Sequence, residues 1–173
     1  MKKGGDQNLK SINCLRSQDD PFPDVTYIAS GIKKFGSGSF LSFFILLMLT
    51  FSGLIGSEIL KLLEDDNYFK NINVVSRQDV ELKSKKSKLR LIDFSNYNQY
   101  LSVIEESDIV LAAIGTTQSK VGFNKKKYRE IDFGIISLAV RACKEKNVKH
   151  FSFVSSAGAD INNKSFYLKL KGE

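Results

Sequence analysis

A serine pair, a tyrosine and a lysine near the end of the chain have the types and order that carbonyl reduction requires. Ser155 and Ser156 follow an apolar segment, and Tyr167 and Lys171 stand four residues apart where a helix is predicted. A tyrosine can exchange a proton with a substrate oxygen, a neighbouring ammonium lowers the pKa of a phenol, and a serine hydroxyl can hold that oxygen. Because pairs with this spacing occur on many helices, the prediction depends on the surrounding elements.

Length and composition are those of one globular domain. The chain has 173 residues, of which 42% are hydrophobic and 26% charged, and its formal net charge is +7. The basic residues gather in two clusters, around Lys85 and around Lys126. Such clusters are typical of solvated loops and a helix face, although they could also attract cofactor phosphates, nucleic acid or acidic lipid. No aromatic residue interleaves the first cluster, which argues against a nucleic-acid partner.

The cysteines and the histidine give no sign of a disulfide or metal site. Cys14 and Cys143 are far apart, and Cys143 falls on the apolar side of a predicted helix, as a buried thiol would. His150, the one histidine, precedes an apolar strand and is interpreted as structural. This usage predicts a reducing compartment, by default the cytoplasm, and no metal.

Strand and helix patterns alternate through most of the chain. Strands are predicted at 72–76, 89–92, 108–114 and 150–155, and helices at 57–63, 96–106, 126–146 and from 164 onward. Such alternation predicts an α/β fold in which helices cover both faces of a parallel sheet. In that architecture ligands bind beyond the carboxyl ends of the strands, where the strand order reverses.

The apolar run at residues 40–56 admits two interpretations. It is long and uncharged enough to span a bilayer, which needs about 20 mostly apolar residues. Alternatively, residues 43–50 form a buried central strand that leads into a turn and a helix, and the helical spacing of 57–63 favours this interpretation. Residues 1–39 are polar and aperiodic, and we expect a disordered or foreign leader there.

Four short motifs fall where predicted strands end, at the expected ligand edge. The glycine turn from Ser52 to Ser57 lets a backbone approach a pyrophosphate at a helix N-terminus. Arg77 suits a ribose 2′-phosphate better than a 2′-hydroxyl, so it favours NADP over NAD. Asp93 is placed to meet an adenine, and Gly115 allows close passage of a cofactor. Together the four motifs predict a dinucleotide site.

The chain also resembles a known family. The resemblance extends over roughly residues 52 to 173 and is carried by Ala113–Thr117, Arg129–Asp132, Lys149–Phe151, Ser155–Asp160 and Phe166–Glu173. These segments look like the Tat-interacting oxidoreductase family, an atypical branch of the short-chain dehydrogenases. The resemblance implies a Rossmann-type doubly wound parallel sheet and NADP(H) as cofactor, bound by Ser52, Gly53, Ile55, Gly56, Arg77, Asp93, Ile114 and Gly115. It implies Tyr167 as proton acceptor or donor, Lys171 beside it, and Ser156, or failing that Ser155, as the serine.

Departures from the family pattern bear on the limits of the domain. The family's phosphate turn reads Gly-Ala-Ser/Thr-Gly-x-x-Gly, and here Thr50 and Phe51 stand at its first two positions. The resemblance ends upstream of Ser52, so we interpret residues 1–51 as an alternative or misassigned exon. The chain also stops inside the predicted catalytic helix. We therefore expect residues 40–173 to form an incomplete NAD(P)-binding Rossmann domain, truncated at its C-terminus.

Two functions follow from these interpretations. One is an NADP-dependent oxidoreductase that transfers a hydride to or from a carbonyl or alcohol substrate. The other is a nucleotide-binding regulatory or interaction protein with protein partners and little catalysis, or an inactive fragment. The resemblance adds a mitochondrial location, and the apolar run at 40–56 adds a membrane-associated one, as alternatives to the cytoplasm.

Overall fold

The structure, a computed structural model, describes residues 53–105 and 107–173 with their side chains, and the backbone of two strands further upstream. The strands are β1 (Thr26–Tyr27), β2 (Phe44–Leu49), β3 (Phe69–Ser76), β4 (Ser87–Leu91), β5 (Ile109–Ala112) and β6 (His150–Phe153). The helices are α1 (Leu54–Asp65), α2 (Tyr97–Ile104), α3 (Lys125–Arg129), α4 (Ile135–Glu145) and α5 (Phe166–Gly172). A single π-helical turn, called the π-turn (Glu130–Gly134), joins α3 to α4.

All the described strands run parallel in one sheet, in the order β1-β6-β5-β2-β3-β4. From β2 the chain moves outward through β3 to β4, and it then returns to the other side of β2 to form β5 and β6. The strand order therefore reverses between β2 and β5, which is the switch point of a doubly wound sheet. The prediction of a Rossmann-type parallel sheet is confirmed.

Two apolar clusters, one on each face, hold the helices against the sheet. Val75 belongs to the cluster that α2 and α4 cover, while its neighbour Val74 belongs to the cluster that α1 covers. Successive strand residues point to opposite faces, so a strand that is buried on both sides becomes a continuous apolar run. The residues of β3 from Ile72 to Ser76 are all buried in this way. This packing fixes the strand ends and the loops that follow them.

The upstream part of the chain supports the strand interpretation of the apolar run. Residues Phe44–Leu49 form β2 in the middle of the sheet, and no helix in the described residues is long and apolar enough to cross a membrane. β1 lies within the stretch 1–39, where we expected no regular structure, and it pairs with β6. The other residues before 44, and residues 50–52, lie outside the described residues. The predictions for Cys14, Thr50, Phe51 and Ser52 therefore stay predictions.

The long helix predicted at 126–146 is present, but it is not a continuous α-helix. The π-turn interrupts it, and the amide of Ile135 donates to the carbonyl of Glu130, five residues earlier. A π-turn contains one residue more than a turn of α-helix. The side chains around it therefore point in directions that a continuous α-helix would not give them. Beyond it α4 buries Cys143, as predicted, and burial raises the pKa of the Cys143 thiol to about 12.

Candidate functional site

The N-terminus of α1 supplies the first part of a candidate dinucleotide site. Gly53 precedes the helix in an extended conformation, and a Cβ built on it would meet no atom of the described residues within 4 Å. The first amides of an α-helix have no partner within the helix, and no side chain in the described residues caps this one. Ile55 is exposed in the first turn, whereas Gly56 is buried, as close packing of helix on sheet requires. Such a helix N-terminus is suited to bind an anion.

A cleft of about 430 Å³ opens beside the ends of β3 and β4, lined by Arg77, Leu91, Ile92, Asp93 and Gln99. Arg77 directly follows β3, and its guanidinium carbon lies 6.0 Å from the centre of the Phe94 ring. Asp93 is exposed, and the hydrogen bond from the Ser95 amide lowers the pKa of its carboxyl. The Asp93 amide donates to Gln99 Oε1 at 2.6 Å, which fixes this wall. The structure thus places Arg77 and Asp93 on the same cleft.

In the turn after β5, backbone atoms rather than side chains face the ligand edge of the sheet. Ile114 is 6% exposed and packs in the cluster that α2 and α4 cover, so its side chain points away from any ligand beyond the strand ends. Gly115 is exposed, and the amide of the next residue, Thr116, donates to Asp132 Oδ2 at 2.9 Å. Of the two predicted site residues here, Gly115 is accessible and Ile114 can contribute only its backbone.

Lys171 and Asp132 form a buried ion pair beside this turn. Lys171 Nζ lies 2.9 Å from Asp132 Oδ1, and the two side chains are 6% and 2% exposed. The second carboxylate oxygen accepts the Thr116 amide, so both oxygens of Asp132 are engaged. Buried charges are tolerated when they are paired and hydrogen-bonded in this way. The pair connects α5, the π-turn and the turn after β5.

A second tyrosine, Tyr128, lies against the predicted catalytic tyrosine. The ring centres of Tyr128 and Tyr167 are 6.3 Å apart with an interplanar angle of 89°, and those of Tyr128 and Phe166 are 5.9 Å apart. Tyr128 is buried, while Tyr167 is partly exposed. Burial, followed by the charge of Asp132 and by Tyr167, raises the pKa of Tyr128 to about 12. Tyr128 therefore keeps its proton at neutral pH.

Sequence reasoning did not assign roles to Tyr128 or Asp132, although a signal was present. The two residues are four apart, so a regular α-helix would place them on one face. Asp132 also stands directly after Ile131 and shortly before Ile135, both on the apolar side of the predicted helix. A carboxylate in such surroundings is rarely buried unless it has a partner. That position was the clue to a buried cation elsewhere in the chain.

The loop that carries the serine pair is docked onto α5. The Asp160 amide donates to the Leu168 carbonyl at 3.1 Å. Gly158 has a φ of +82°, which favours glycine, and a Cβ there would lie 3.8 Å from Leu168 Cδ1. The Ser156 hydroxyl lies 3.4 Å from the Ala157 carbonyl, a long and weak hydrogen bond. The structure thus brings the Ser156 loop against the helix that bears Tyr167 and leaves the serine hydroxyl available.

Gly172→Ala is expected to destabilise the protein by about 1–3 kcal/mol, the usual cost of overpacking. A Cβ at Gly172 would lie 2.7 Å from Asp160 Cα and closer still to the peptide that follows, so the loop backbone must shift. Urea unfolding measures the loss. Gly134→Ala is the matched control, because among the described residues its Cβ would meet the Arg129 carbonyl oxygen alone, at 3.9 Å. Equal stability of the two variants would contradict the prediction.

Comparison with known proteins first identifies the class of protein to which the chain belongs. A sequence profile of the NAD(P)H-binding family matches residues 52–171. The fold is similar to that of uronate dehydrogenase from Agrobacterium tumefaciens, solved as a mutant complexed with NAD. That likeness has a TM-score of 0.58 at 12% identity and covers 68% of this chain and 43% of the dehydrogenase. The site described above therefore lies in a nucleotide-binding domain of the Rossmann type.

Two relatives then show which proteins of this class the chain is related to. Protein FMP52, mitochondrial, from Candida albicans is 33% identical over 126 residues, which are 70% of this chain and 55% of FMP52. Protein HTATIP2 from Rattus norvegicus is 26% identical over 125 residues, which are 70% of this chain and 51% of HTATIP2. The chain belongs to the NAD(P)H-binding family as a homologue of these proteins, so the predicted resemblance is confirmed. It spans about half the length of each relative.

Proposed function

We propose that this chain is an NADP(H)-binding oxidoreductase of the short-chain dehydrogenase type, which transfers a hydride to or from a carbonyl or alcohol substrate. The observation that carries the proposal is the position of Lys171. Its ammonium lies beside the turn after β5, at the ligand edge of the sheet, on the helix that also bears Tyr167. This placement suits proton exchange with a substrate held next to a dinucleotide.

The described residues fit a dinucleotide. The amides of the first turn of α1 suit a pyrophosphate, and the exposed Gly115 lets a ligand pass close to the backbone. The volume of the cleft that Arg77 and Asp93 line falls within the range of small-molecule sites, roughly 300–1,000 Å³. A guanidinium at this cleft can form a bidentate pair with a 2′-phosphate, which supports NADP(H) over NAD(H).

Each proposed catalytic residue has a distinct task. When bound, the nicotinamide supplies or accepts the hydride. Tyr167 gives a proton to the carbonyl oxygen during reduction, or takes it from the alcohol during oxidation. The charge of Lys171 favours the phenolate form that follows proton donation, and Ser156 donates a hydrogen bond to the substrate oxygen. Tyr128 is a poor substitute for Tyr167, because a phenol whose pKa is raised to about 12 is far from the working pH.

A second candidate function is nucleotide binding without turnover, in a regulatory or interaction protein. The observation that favours it is the ion pair, because Asp132 compensates the charge of Lys171 and so weakens the help that this ammonium gives to a phenol. Saturable binding of a cofactor, together with no turnover of any carbonyl or alcohol, would support this second function.

Titration of the purified chain with NADPH, followed by cofactor fluorescence and with NADH in parallel, tests the proposed function. We expect saturable binding that favours NADPH, and then oxidation of NADPH in the presence of members of a panel of aldehydes and ketones. Failure of the folded protein to bind either cofactor would contradict both candidate functions. Binding without oxidation of NADPH would contradict the first alone.

Arg77→Ser is expected to weaken NADPH binding by about 10- to 100-fold, the effect of losing charged hydrogen bonds, and to change NADH binding by less than about twofold. The same fluorescence titration measures both. Lys83→Ser is the control, since it removes the same charge from an exposed position between β3 and β4. Equal losses for the two cofactors in Arg77→Ser would mean that Arg77 does not recognise the 2′-phosphate.

The names of the yeast relatives bear on location. FMP52 from Candida albicans and from Debaryomyces hansenii is named mitochondrial. We therefore propose mitochondria as the alternative to the cytoplasm that the cysteine usage predicts. Fractionation of cells that express the tagged full chain distinguishes the two compartments.

A further inference from the structure

We infer that the segment joining the turn after β5 to α3 is a membrane-docking surface. Its lysines Lys120, Lys126 and Lys127 bind anionic phospholipid, and the Phe123 ring enters the boundary between headgroups and acyl chains. This segment, called the basic loop, comprises residues 118–127 and includes the start of α3. The inference is independent of the proposed function, because it requires neither a cofactor nor turnover.

Phe123 displays its ring to solvent at the tip of the basic loop. It is 73% exposed, more than any other aromatic side chain among the described residues. Its φ is +58°, and the φ of the preceding Gly122 is +59°. Left-handed backbone is rare for a bulky side chain, so the surrounding structure must hold Phe123 in this conformation.

Hydrogen bonds within the basic loop hold this turn. The Phe123 amide donates to the Gln118 carbonyl at 2.8 Å, and the Gly122 amide donates to the Ser119 carbonyl at 3.1 Å. The backbone therefore fixes the direction in which the ring leaves the loop. An apolar group that is held in water at a fixed position can enter an apolar phase without reorganisation of the protein.

The positive charge of the basic loop is not balanced locally. The sequence has no Asp or Glu from residue 109 to 129, and the side chains of Lys120, Lys126 and Lys127 are exposed. Among the described residues, none of these three ammonium groups forms an ion pair. Unpaired cations at a surface are attracted to anionic phospholipid over about one Debye length, ~8 Å at physiological ionic strength.

The ring and the three lysines belong to one patch. Phe123 is three residues from Lys120 and three from Lys126, so its Cα lies within about 11 Å of each of theirs. Asn124 Oδ1 accepts the amides of Lys126 and Lys127 at 3.0 and 3.1 Å, which fixes the first turn of α3 directly after Phe123. Long lysine side chains can then reach the phosphates around an inserted ring.

An anionic membrane fits this patch better than a nucleic acid does. Aromatic side chains of membrane-surface segments enter the boundary with the acyl chains while lysines remain among the headgroups. A single-stranded nucleic acid instead stacks successive bases on several aromatic rings. Phe123 is the one aromatic residue of the basic loop, so it cannot form such a platform.

Sedimentation of the full chain with lipid vesicles tests the inference. One set of vesicles contains phosphatidylcholine and phosphatidylglycerol in equal amounts, and the other contains phosphatidylcholine alone. We expect binding to the anionic vesicles that is at least about tenfold stronger than to the neutral ones, and that is lost at about 1 M salt, where the Debye length is ~3 Å. Equal binding to both sets, or none to the anionic set, overturns the inference.

Phe123→Asn tests the role of the ring. Asparagine tolerates a left-handed φ better than phenylalanine does, so the variant is expected to fold. Its partition onto the anionic vesicles is expected to fall by about 10- to 100-fold, the value of burying a phenylalanine side chain. Leu62→Gln removes a 56% exposed apolar side chain from α1 and is the control, with an expected change below about twofold. Unchanged binding of Phe123→Asn overturns the inference.

Lys120→Gln, Lys126→Gln and Lys127→Gln, made together, test the role of charge. Each lysine near an anionic surface contributes about fivefold, so the triple variant is expected to bind about 100-fold more weakly. If another segment of the chain attached it to the vesicles, neither this variant nor Phe123→Asn would lose binding, and the inference would be wrong.

A second triple variant separates the basic loop from net charge. It removes the same charge from exposed positions of the cluster around Lys85, through Lys83→Gln, Lys85→Gln and Lys88→Gln. Its binding is expected to fall by less than about fivefold, and a loss equal to that of the first triple variant overturns the inference. Binding of fluorescent oligodeoxythymidine without binding of vesicles would assign the patch to single-stranded nucleic acid and likewise overturn it.

Discussion

Tyr167→Phe is expected to lower turnover by about 10²- to 10⁴-fold, the usual contribution of one general acid–base group. The change removes only the hydroxyl, so the ring contact with Tyr128 at 6.3 Å is kept. The amides of α1, the cleft at Arg77 and Gly115 are untouched, and NADPH binding is therefore expected to change by less than about twofold. Steady-state kinetics and fluorescence titration on one preparation measure both quantities.

Tyr128→Phe is the control for this prediction, because it removes a phenol that lies against the same ring. Tyr128 is 4% exposed, and burial is the main reason that its pKa is raised to about 12. A buried phenol that keeps its proton is not expected to serve as the acid–base group, so turnover should fall by less than about tenfold. If Tyr128→Phe abolished turnover and Tyr167→Phe did not, the roles of the two tyrosines would be reversed.

The architecture could be predicted from the sequence because burial leaves a pattern in it. Ile109–Ala112 is a continuous apolar run because helices cover both sides of β5. Ile135, Ala139 and Ala142 recur at helical spacing because α4 buries one face. The ends of these elements place Gly115 at the ligand edge. Such patterns show where a loop lies, but not which of its side chains face a ligand, and Ile114 belongs to the core for that reason.

Asp132 stands beside apolar residues in the sequence, but its partner could not be predicted, because Lys171 is distant in sequence and a π-turn changes the direction in which Asp132 points. A helix interpreted with a period of 3.6 residues carries no sign of an inserted residue, so the direction of Asp132 cannot be derived from periodicity. The contact of Gly172 with the backbone of Asp160 likewise depends on how the loop docks onto α5. The sequence therefore identified Tyr167 and Lys171 as candidates, and the structure was needed to find what holds Lys171.

Lys171→Met is expected to lower the free energy of unfolding by about 3–5 kcal/mol, because it leaves a buried carboxylate without its cation. Methionine keeps most of the apolar stem of lysine, so little of the loss comes from packing. Urea unfolding at neutral pH measures the change. Lys169→Met, at an exposed position of the same helix, is the control and is expected to change stability by no more than about 0.5 kcal/mol.

The double variant Lys171→Met with Asp132→Asn decides whether the loss of stability comes from the unpaired Asp132 carboxylate. An asparagine oxygen can still accept the Thr116 amide, and replacement of a buried ion pair by neutral groups often leaves stability nearly unchanged. The double variant is therefore expected to regain most of the stability that Lys171→Met loses, so the coupling energy between the two changes is expected to be at least about 2 kcal/mol. Additive losses would mean that the two side chains stabilise the fold separately.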